Sequence, residues 1–238
     1  MARRPGSGFF CVLFMKILSF DTTGEIESVA ILDAGKIVDL IEIEKRSSAA
    51  ELLIPAIDQI MQKNNLEFSD LDAIVTAKGP ASFTSVRIGL SAAKGLVLAC
   101  KKPLLTYDSL LAKAHGYRDF IGKITVCIDA KMNEFFVASF CSDGKNLKTQ
   151  EKSRLVKAED LAQIILENNQ LIIGSGASFL QEVAVNKNVK VEVGDKEVNL
   201  FLADDLALMA HEDLINGADS ADSSPNYARE PKIGKRKS

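Results

Sequence analysis

The chain has 238 residues, of which 47% are apolar and 26% charged, and its net charge is −3. This balance is typical of a globular protein with a sizeable core, and it excludes an overall basic surface for nucleic acid. The length suits one large domain or two lobes of about 100 residues each. No uninterrupted run of eighteen apolar residues is present, so we expect no membrane span. The four cysteines have no C-x-x-C spacing, which indicates buried thiols of a reducing, cytoplasmic compartment.

The first fourteen residues form a separate segment. Arg3 and Arg4 precede an apolar run from Phe9 to Phe14, which is the order found in a secretory signal peptide. That run continues into a strand pattern at Met15 with no small-residue cleavage site in between. We therefore interpret residues 1–14 as an N-terminal extension that is disordered or not native, with secretion as the minor alternative.

Residues 15–117 predict three strands followed by alternating helices and strands. The strands are expected at 17–21, 28–32, 36–44 and 73–77, with a tight turn at 33–35 and a short strand before Tyr107. A capping box at Ser48–Glu51 opens a helix that runs to about Lys63, and Pro55 is expected to kink it. A second helix, rich in small residues, reaches Cys100.

The segment from Lys78 to Gly89 joins the fourth strand to that second helix. Gly79-Pro80 favours an extended turn, because a proline ring disfavours the α region for the residue before it. Ser82 or Thr84 is expected to cap the helix by accepting a hydrogen bond from an orphan amide. If Thr84 is the cap, Arg87 lies in the first turn, where a cation opposes the helix dipole by roughly 0.3–1 kcal/mol. A carboxylate or a partner would then compensate for it.

Residues 118–238 repeat the order of the first half. Strands are expected at 123–129, 134–141 and 171–173, with a turn at 142–145 and helices at 158–167 and about 200–215. Beyond Gly217 the sequence is polar, and the segment from Arg229 to Ser238 carries a net charge of +4. A frayed terminus is the preferred interpretation of this charge, ahead of a phosphate contact. The shared order of elements predicts a duplicated, two-lobed α/β fold.

Three loops follow strands at places where a phosphate group can bind. Asp21-Thr22-Thr23-Gly24 combines hydroxyl groups with a glycine that lets the backbone approach closely. Asp129-Ala130-Lys131 ends the equivalent strand of the second half, and Gly174-Ser175-Gly176 follows a third strand. Each loop alone also fits a plain hairpin or turn. Together, and in this order, they are similar to the two phosphate loops and the adenosine loop of the actin–Hsp70–sugar kinase superfamily.

Four motifs of the chain resemble those of the TsaB (YeaZ) family. The family pattern G-P-G-S-F-T-G-x-R-x-G is matched from Gly79 to Gly89, and I-L-x-x-D-T is matched from Ile17 to Thr22. The pattern I-D-A-[RK] is matched from Ile128 to Lys131, and a late G-x-G turn from Gly174 to Gly176. The resemblance extends over essentially everything from Met15 onward, including the spacing of the elements.

The chain departs from the family pattern in two places. Ala81 and Ser85 replace glycines, and each replacement costs on the order of 1 kcal/mol if its position needs a positive φ. The helix that begins near Ser48 also lacks the histidine that commonly precedes Ser-Glu in relatives. Neither departure removes a catalytic group, because the resemblance implies none.

The resemblance implies a two-lobed, actin-like ATPase (ASKHA) fold with duplicated mixed sheets and flanking helices. The N-terminal lobe would span residues 15–117 and carry the partner-binding helices, and the C-terminal lobe with the basic tail would span 118–238. It implies a non-catalytic scaffold subunit required for threonylcarbamoylation of adenosine at position 37 of tRNAs that read codons starting with A. The implied partners are a TsaD-like catalytic subunit, a TsaE-like ATPase and, through the complex, tRNA. A homodimer is expected when the partner is absent.

The resemblance also implies three sets of site residues. Vestigial or weak nucleotide loops are expected at Asp21, Thr22, Thr23, Gly24, Asp129, Gly174 and Gly176. The partner-binding surface is expected at Leu53, Ile57, Ile60, Met61, Gly89, Ala92, Ala93 and Leu96. The alternative is that these helical stripes face only the core of the chain itself. The structural motif comprises Gly79, Pro80, Ser82, Phe83, Thr84 and Arg87. No cofactor is assigned firmly, and ATP or ADP at the interface of the complex stays open.

No catalytic or metal-binding set is evident in the sequence. The catalytic TsaD relatives hold a metal with an H-x-x-x-H pair, in which histidines four residues apart share one helix face. His115 and His211 are far apart, and a structural role is expected for both. One alternative stays open, a stand-alone nucleotide-dependent phosphotransferase of the same superfamily. Asp21 and Asp129 would then supply the metal-holding carboxylate and the base.

Overall fold

The structure is a computed structural model that describes residues 14–24, 26–43, 49–194, 202–217 and 223–226. Most of the expected N-terminal extension, the cap residue Ser48 and the basic tail lie outside these residues. The described part of the chain is built around two five-stranded sheets.

The first sheet contains β1 to β5 in the order β3-β2-β1-β4-β5. Its strands are β1 (Lys16–Asp21), β2 (Glu27–Asp33), β3 (Lys36–Ile43), β4 (Ala73–Ala77) and β5 (Leu104–Tyr107). Strands β1, β2 and β3 are antiparallel, whereas β4 is parallel to both β1 and β5. The predicted turn between β2 and β3 is confirmed, with Ala34 and Gly35 both at positive φ, as a tight hairpin requires.

The second sheet repeats this arrangement. Its strands are β6 (Gly122–Asp129), β7 (Glu134–Ser142), β8 (Leu147–Lys157), β9 (Gln170–Ile173) and β10 (Val191–Val193). Their order is β10-β9-β6-β7-β8, so that β6 to β10 take the places of β1 to β5. The directions of pairing match as well, with β7 antiparallel to β6 and β9 parallel to it. The duplicated, two-lobed α/β fold is therefore confirmed.

Helices cover both faces of each sheet. They are α1 (Ala49–Lys63), α2 (Phe83–Cys100), α3 (Ser109–His115), a 3₁₀ helix (Ala158–Gln163), α4 (Ala177–Asn186) and α5 (Ala203–Ile215). Helices α1 and α2 share one core with the first sheet, and α5 packs on the opposite face of that sheet. Helix α3 packs on one face of the second sheet, and the 3₁₀ helix and α4 pack on the other.

Several elements differ from the sequence prediction. The helix predicted at 158–167 is wrong in type and length, because the 3₁₀ helix ends at Gln163 and Ile164 is extended with its side chain buried. Four elements, β8, β10, α3 and α4, were not predicted. Helix α1 contains Pro55 in its interior, as expected, and the kink there stays a prediction. By length and composition alone, α2 is apolar enough to cross a membrane, although Arg87 and Lys94 interrupt its apolar run.

Helices α3 and α5 are exchanged between the two sheets. Helix α3 follows β5 of the first sheet, and its Ala112 lies in that core, yet its Leu110 and Ala114 lie in the core of the second. Helix α5 follows the second sheet in the chain, yet its Leu206 lies in the core of the first. The two helices meet where His115 Nδ1 lies 2.8 Å from Asp205 Oδ1. The predicted lobe boundary at residues 117/118 stays a prediction. Helix α5 lies after that boundary in the chain but packs on the first sheet.

Replacing Leu206 tests this exchange. Leu206 is fully buried against the first sheet, so Leu206→Ala should lower the free energy of unfolding by about 2–5 kcal/mol. The matched control is Ile215→Ala on the same helix, whose side chain is 44% exposed and should change stability by less than about 1 kcal/mol. Urea unfolding measures both. Equal small effects would contradict the docking of α5.

The pH dependence of stability should report on Asp204 in the first turn of α5. Burial, and next the charge of Asp205, raise the pKa of Asp204 to about 6. Because the folded pKa exceeds the ordinary value of 3.8, this carboxyl destabilises the fold as pH rises from about 4 to above 6. Asp204→Asn should therefore be more stable than the wild type at pH 8, by about 1–2 kcal/mol after allowance for its partial solvation. The difference should vanish near pH 4.

Urea unfolding at pH 4 and pH 8 measures the effect of Asp204→Asn. The control is Asp143→Asn in the β7–β8 turn, because hydrogen bonds from Asn146 and Lys145 lower the pKa of Asp143. This control should shift stability in the opposite direction at pH 8. A stability of Asp204→Asn that matches the wild type at both pH values would contradict the burial of the carboxyl.

Candidate functional site

In the first candidate phosphate loop, the hydrogen-bond donors bind the carboxylate of Asp21, a residue of the same loop. Asp21 ends β1 and is fully buried. Its carboxylate accepts hydrogen bonds from the Thr23 amide at 3.0 Å, the Thr23 hydroxyl at 2.6 Å and the Gly24 amide at 2.6 Å. These donors are the groups that would otherwise face a phosphate at such a turn. The loop is therefore organised from within by Asp21.

Burial raises the pKa of Asp21, and the hydrogen bonds from Thr23 and Gly24 act against that rise. The positive charge of Lys113, a buried residue of α3, also acts against it. Through this charge the helix between the sheets contributes to the environment of the first loop. Asp21 thus acts as a hydrogen-bond acceptor that stabilises its own turn.

Helix α2 packs directly on this loop through Gly89. The Thr22 hydroxyl donates to the Ser85 carbonyl at 2.7 Å, which ties the loop to the first turn of α2. A Cβ at Gly89 would lie 2.7 Å from Thr22 Oγ1 and 3.3 Å from Thr76 Oγ1. Only glycine permits this approach, so the last glycine of the Gly79–Gly89 motif is explained by contact with the Asp21 loop.

The turn before α2 is held by two other parts of the chain. Gly79 has φ +91°, and the Gly79-Pro80 peptide is cis. The Ser109 amide donates to the Gly79 carbonyl at 2.9 Å, and the Ser109 hydroxyl donates to the Pro80 carbonyl at 2.7 Å. The Asn226 amide donates to the Lys78 carbonyl at 2.7 Å. A Cβ at Gly79 would lie 2.9 Å from the Asn226 carbonyl oxygen, so this glycine admits the C-terminal segment.

Asp108 connects the same region to the second sheet. Its carboxylate caps α3 by accepting from the Leu110 and Leu111 amides, at 2.8 and 3.2 Å. It also accepts from the Asn226 side chain at 3.0 Å and from the Ser153 hydroxyl of β8. Burial raises the pKa of Asp108. One side chain thus joins α3, the C-terminal segment and an edge strand of the second lobe.

The cap of α2 is Ser82, and the alternative Thr84 is wrong. Ser82 Oγ accepts from the Ser85 amide at 3.1 Å, and the two serine hydroxyls lie 2.7 Å apart. Arg87 therefore falls in the second turn, where its guanidinium stacks 3.6 Å from the centre of the Phe83 ring. Neither Ala81 nor Ser85 has a positive φ, so the two departures from the family pattern carry no backbone strain.

The second and third candidate loops lie together. The Asp129 amide donates to Ser175 Oγ at 3.1 Å. A Cβ at Gly174 would overlap the Cys127 carbonyl oxygen, and one at Gly176 would lie 2.7 Å from Cys127 Sγ. These glycines are therefore required for the approach of α4 to β6. The Asp129 carboxylate pairs with Lys131 Nζ at 2.9 Å, and hydrogen bonds from Lys131 lower its pKa.

Most of the predicted partner-binding residues are buried, as the alternative of a core-facing stripe expects. Leu53, Ile57, Ile60 and Met61 are each at most 3% exposed and pack into the core of the first sheet, together with Ala93. Gly89 is also buried, whereas Ala92 and Leu96 are half-buried. The helical stripe marks the inward face of α1, because the sheet covers it. The outward faces carry Ile54, 49% exposed, and Leu98, 83% exposed. The sequence prediction missed both, since it read only the more continuous apolar stripe.

The two histidines have structural surroundings. His115 is buried against Asp205, and Arg118 Nη1 lies 2.5 Å from His115 Nε2. His211 packs against the β2–β3 turn, where a Cβ at Gly35 would lie 2.9 Å from its ring, and burial lowers the pKa of His211. Across residues 14–217 as far as they are described, and 223–226, no three His, Cys, Asp or Glu side chains form a group that could hold a metal ion.

Of the predicted buried thiols, Cys127 is buried, and burial raises its pKa to about 12. Cys100 and Cys141 are free and half-buried. Cys11 lies outside the described residues.

Comparison with known proteins identifies a matching family model and several relatives of the chain. A family model described as TsaD, tRNA N6-adenosine threonylcarbamoyltransferase, matches residues 44–218. The tRNA threonylcarbamoyladenosine biosynthesis protein TsaB of Escherichia coli K12 is 28% identical over 202 residues, covering 82% of this chain and 86% of the relative. TsaB of Bacillus subtilis is 26% identical, covering 68% and 71%. TsaB of Haemophilus influenzae is 32% identical over 51% of this chain and 52% of the relative.

Solved structures agree on the fold. YeaZ from Pseudomonas aeruginosa superposes with a TM-score of 0.72 at 21% identity, covering 90% of this chain and 99% of that structure. A second Pseudomonas aeruginosa structure, described as similar to peptidase YEAZ, gives a TM-score of 0.75 at 21% identity, covering 90% and 100%.

The duplicated sheets and their flanking helices define a two-lobed, actin-like ATPase fold. Because the family model spans well over half of its length, the chain belongs to the tRNA N6-adenosine threonylcarbamoyltransferase (TsaD) family, and its relatives assign it to the TsaB (YeaZ) group.

Gly89→Ala tests the contact between α2 and the Asp21 loop. The added Cβ would be forced against the Thr22 and Thr76 hydroxyls, so we expect a loss of about 1–3 kcal/mol in the free energy of unfolding. The matched control is Gly95→Ala on the same helix, where no heavy atom lies within 4 Å of the new Cβ. That control should gain up to about 1 kcal/mol, because alanine favours the helix. Equal effects in urea unfolding would show that the contact is absent.

Proposed function

We propose that the chain is a cytoplasmic, non-catalytic subunit in the biosynthesis of threonylcarbamoyladenosine in tRNA. It pairs with a TsaD-like catalytic subunit, and a TsaE-like ATPase docks on the pair. The modified base is adenosine 37 of tRNAs that read codons starting with A. The names of the relatives in Escherichia coli and Bacillus subtilis support the pathway, and the surface of α2 supports the role.

The observation that carries this proposal is the exposure of α2. By length and composition it is apolar enough to cross a membrane, yet only 22% of its residues are buried within the chain. Exposed small residues, Ser91, Gly95 and Ala99, lie along its outward face beside Leu98. A helix of this composition leaves an apolar surface in water unless another protein covers it. Small side chains also let a second helix approach at short axial distance.

Helix α1 extends this surface. It packs in the same core as α2, and its Ile54 and Pro55 are exposed on the side away from the sheet. We call the outward residues Ile54, Pro55, Ser91, Gly95 and Leu98 the α1–α2 face. This face replaces the buried stripe as the docking surface for the TsaD-like subunit. The same face would pair two copies of the chain when that subunit is absent.

The closed Asp21 loop supports a positioning role over phosphoryl transfer. The donors of the loop are occupied by Asp21 itself, and Asp129 is paired with Lys131. A transferase that acted alone would use these groups on a phosphate and its metal ion. In this proposal the loop instead supports α2 through Thr22, so its geometry serves the α1–α2 face.

Charge on the α1–α2 face should abolish pairing without unfolding the chain. Ile54→Asp with Leu98→Asp replaces two exposed apolar side chains by carboxylates that cannot be buried unpaired at an interface. We expect the affinity for the TsaD-like subunit to fall at least about tenfold in titration calorimetry. The matched control is Ile121→Asp with Val185→Asp, two exposed apolar residues of the second lobe. Undiminished pairing of the first variant would place the interface elsewhere.

Reconstitution tests the function itself. The chain, a TsaD-like subunit, a TsaE-like subunit, tRNA and threonylcarbamoyl-AMP are combined, and modified adenosine is measured by mass spectrometry. We expect modification only when the chain is present, and none from the chain alone. Modification without the chain, or by the chain alone, would contradict the scaffold role.

A further inference from the structure

A basic strand lies at the outer edge of the second sheet. Strand β8 and the Lys145 that precedes it contain five basic residues and one acidic residue, Glu151, which gives a net charge of +4. The whole chain carries −3, so the remainder carries −7. All five basic residues, Lys145, Lys148, Lys152, Arg154 and Lys157, are exposed. The charge of the molecule is therefore unevenly distributed, with a concentrated positive edge.

The neighbouring carboxylates neutralise this edge only in part. Lys157 Nζ lies 3.4 Å from Glu159, and Arg154 lies 4.0 Å from Glu151. The Asp143 carboxylate is engaged in its own turn, where it accepts from the Lys145 and Asn146 amides at 3.0 and 2.7 Å. The positive charge that faces solvent is thus concentrated on three lysines, Lys145, Lys148 and Lys152.

The geometry of β8 suits a long polyanion. It has 11 residues, so at about 3.3 Å per residue it extends for about 36 Å, which is long enough to meet several successive phosphates of a nucleic acid. It is the outermost strand of its sheet, so one edge of its backbone also faces away from β7. The strand has no aromatic side chain on which a base would stack. Such contacts bind backbone phosphates and do not depend on the base sequence.

We propose that the β8 edge, centred on Lys145, Lys148 and Lys152, binds the phosphate backbone of tRNA. This inference rests on the proposed function, which brings tRNA to the complex. The surface belongs to the second lobe, whereas the α1–α2 face belongs to the first, so the chain holds its partner and its tRNA on separate surfaces. A sequence-independent contact suits a subunit that serves several tRNAs with different stems.

The test neutralises the three lysines in the assembled complex. The variant Lys145→Gln, Lys148→Gln, Lys152→Gln is combined with the TsaD-like subunit, and tRNA affinity is measured by filter binding between about 50 and 200 mM salt. We expect affinity near physiological salt to fall about tenfold. We also expect the slope of log affinity against log salt to become shallower by about 2–3, or close to one for each lost phosphate contact.

Two control variants separate this effect from a general change of charge. Lys36→Gln, Lys101→Gln, Lys190→Gln removes the same charge from exposed lysines outside the edge, and should leave the salt slope within about one of the wild type. Lys145→Arg, Lys148→Arg, Lys152→Arg keeps the charge and should bind tRNA like the wild type. Thermal melting of all three variants checks that each is folded.

A glutamine variant of the edge that binds tRNA with wild-type affinity and slope would overturn the assignment. If that variant also self-associates, the lysines instead protect an open strand edge from pairing.

The proposed function and the edge assignment can fail independently of each other. If the wild-type complex binds tRNA through the edge but does not modify it, the proposed function falls. If it modifies tRNA and the edge variant binds normally, only the edge assignment falls.

Discussion

The exchange of α3 and α5 between the two sheets is the constraint on which the rest of the structure depends. Helix α3 packs on the second sheet through Leu110 and Ala114 and on the first core through Ala112, and α5 returns from the second half of the chain to the first sheet. The start of α3 then supports the turn before α2 through Ser109, and Asp108 ties that start to β8 and the C-terminal segment. The orientation of α2, and with it the α1–α2 face, therefore depends on both lobes together.

The three candidate phosphate loops support the packing of neighbouring elements. Asp21 satisfies the donors of its own turn, and the glycines at 174 and 176 let α4 pack on β6. Thr22 connects the first loop to Ser85 in the first turn of α2. We therefore interpret the Asp21 loop as a support for α2 and not as a phosphate site. The basic β8 edge adds a second surface, which lies in the other lobe.

The sequence predicted most of the strands and the duplication, because alternating apolar segments and glycine turns are local signals. It missed α3, whose seven residues are too short to show a helical period, and β8, whose polar residues follow an edge exposed to water. The burial of Leu53 and Ile57 was not predictable, because an apolar stripe on α1 looks the same whether a sheet or a partner covers it. The hydrogen bonds from Thr23 and Gly24 to Asp21 were also not predictable, because motif spacing does not determine where side chains point.

Titration calorimetry of the isolated chain with ATP and magnesium tests most directly the claim that the fold now positions partners. Because Asp21 occupies the donors of its loop, we expect weak or undetectable binding and no ATP turnover by the chain alone. Tight binding together with turnover would contradict the claim, and it would favour the stand-alone phosphotransferase.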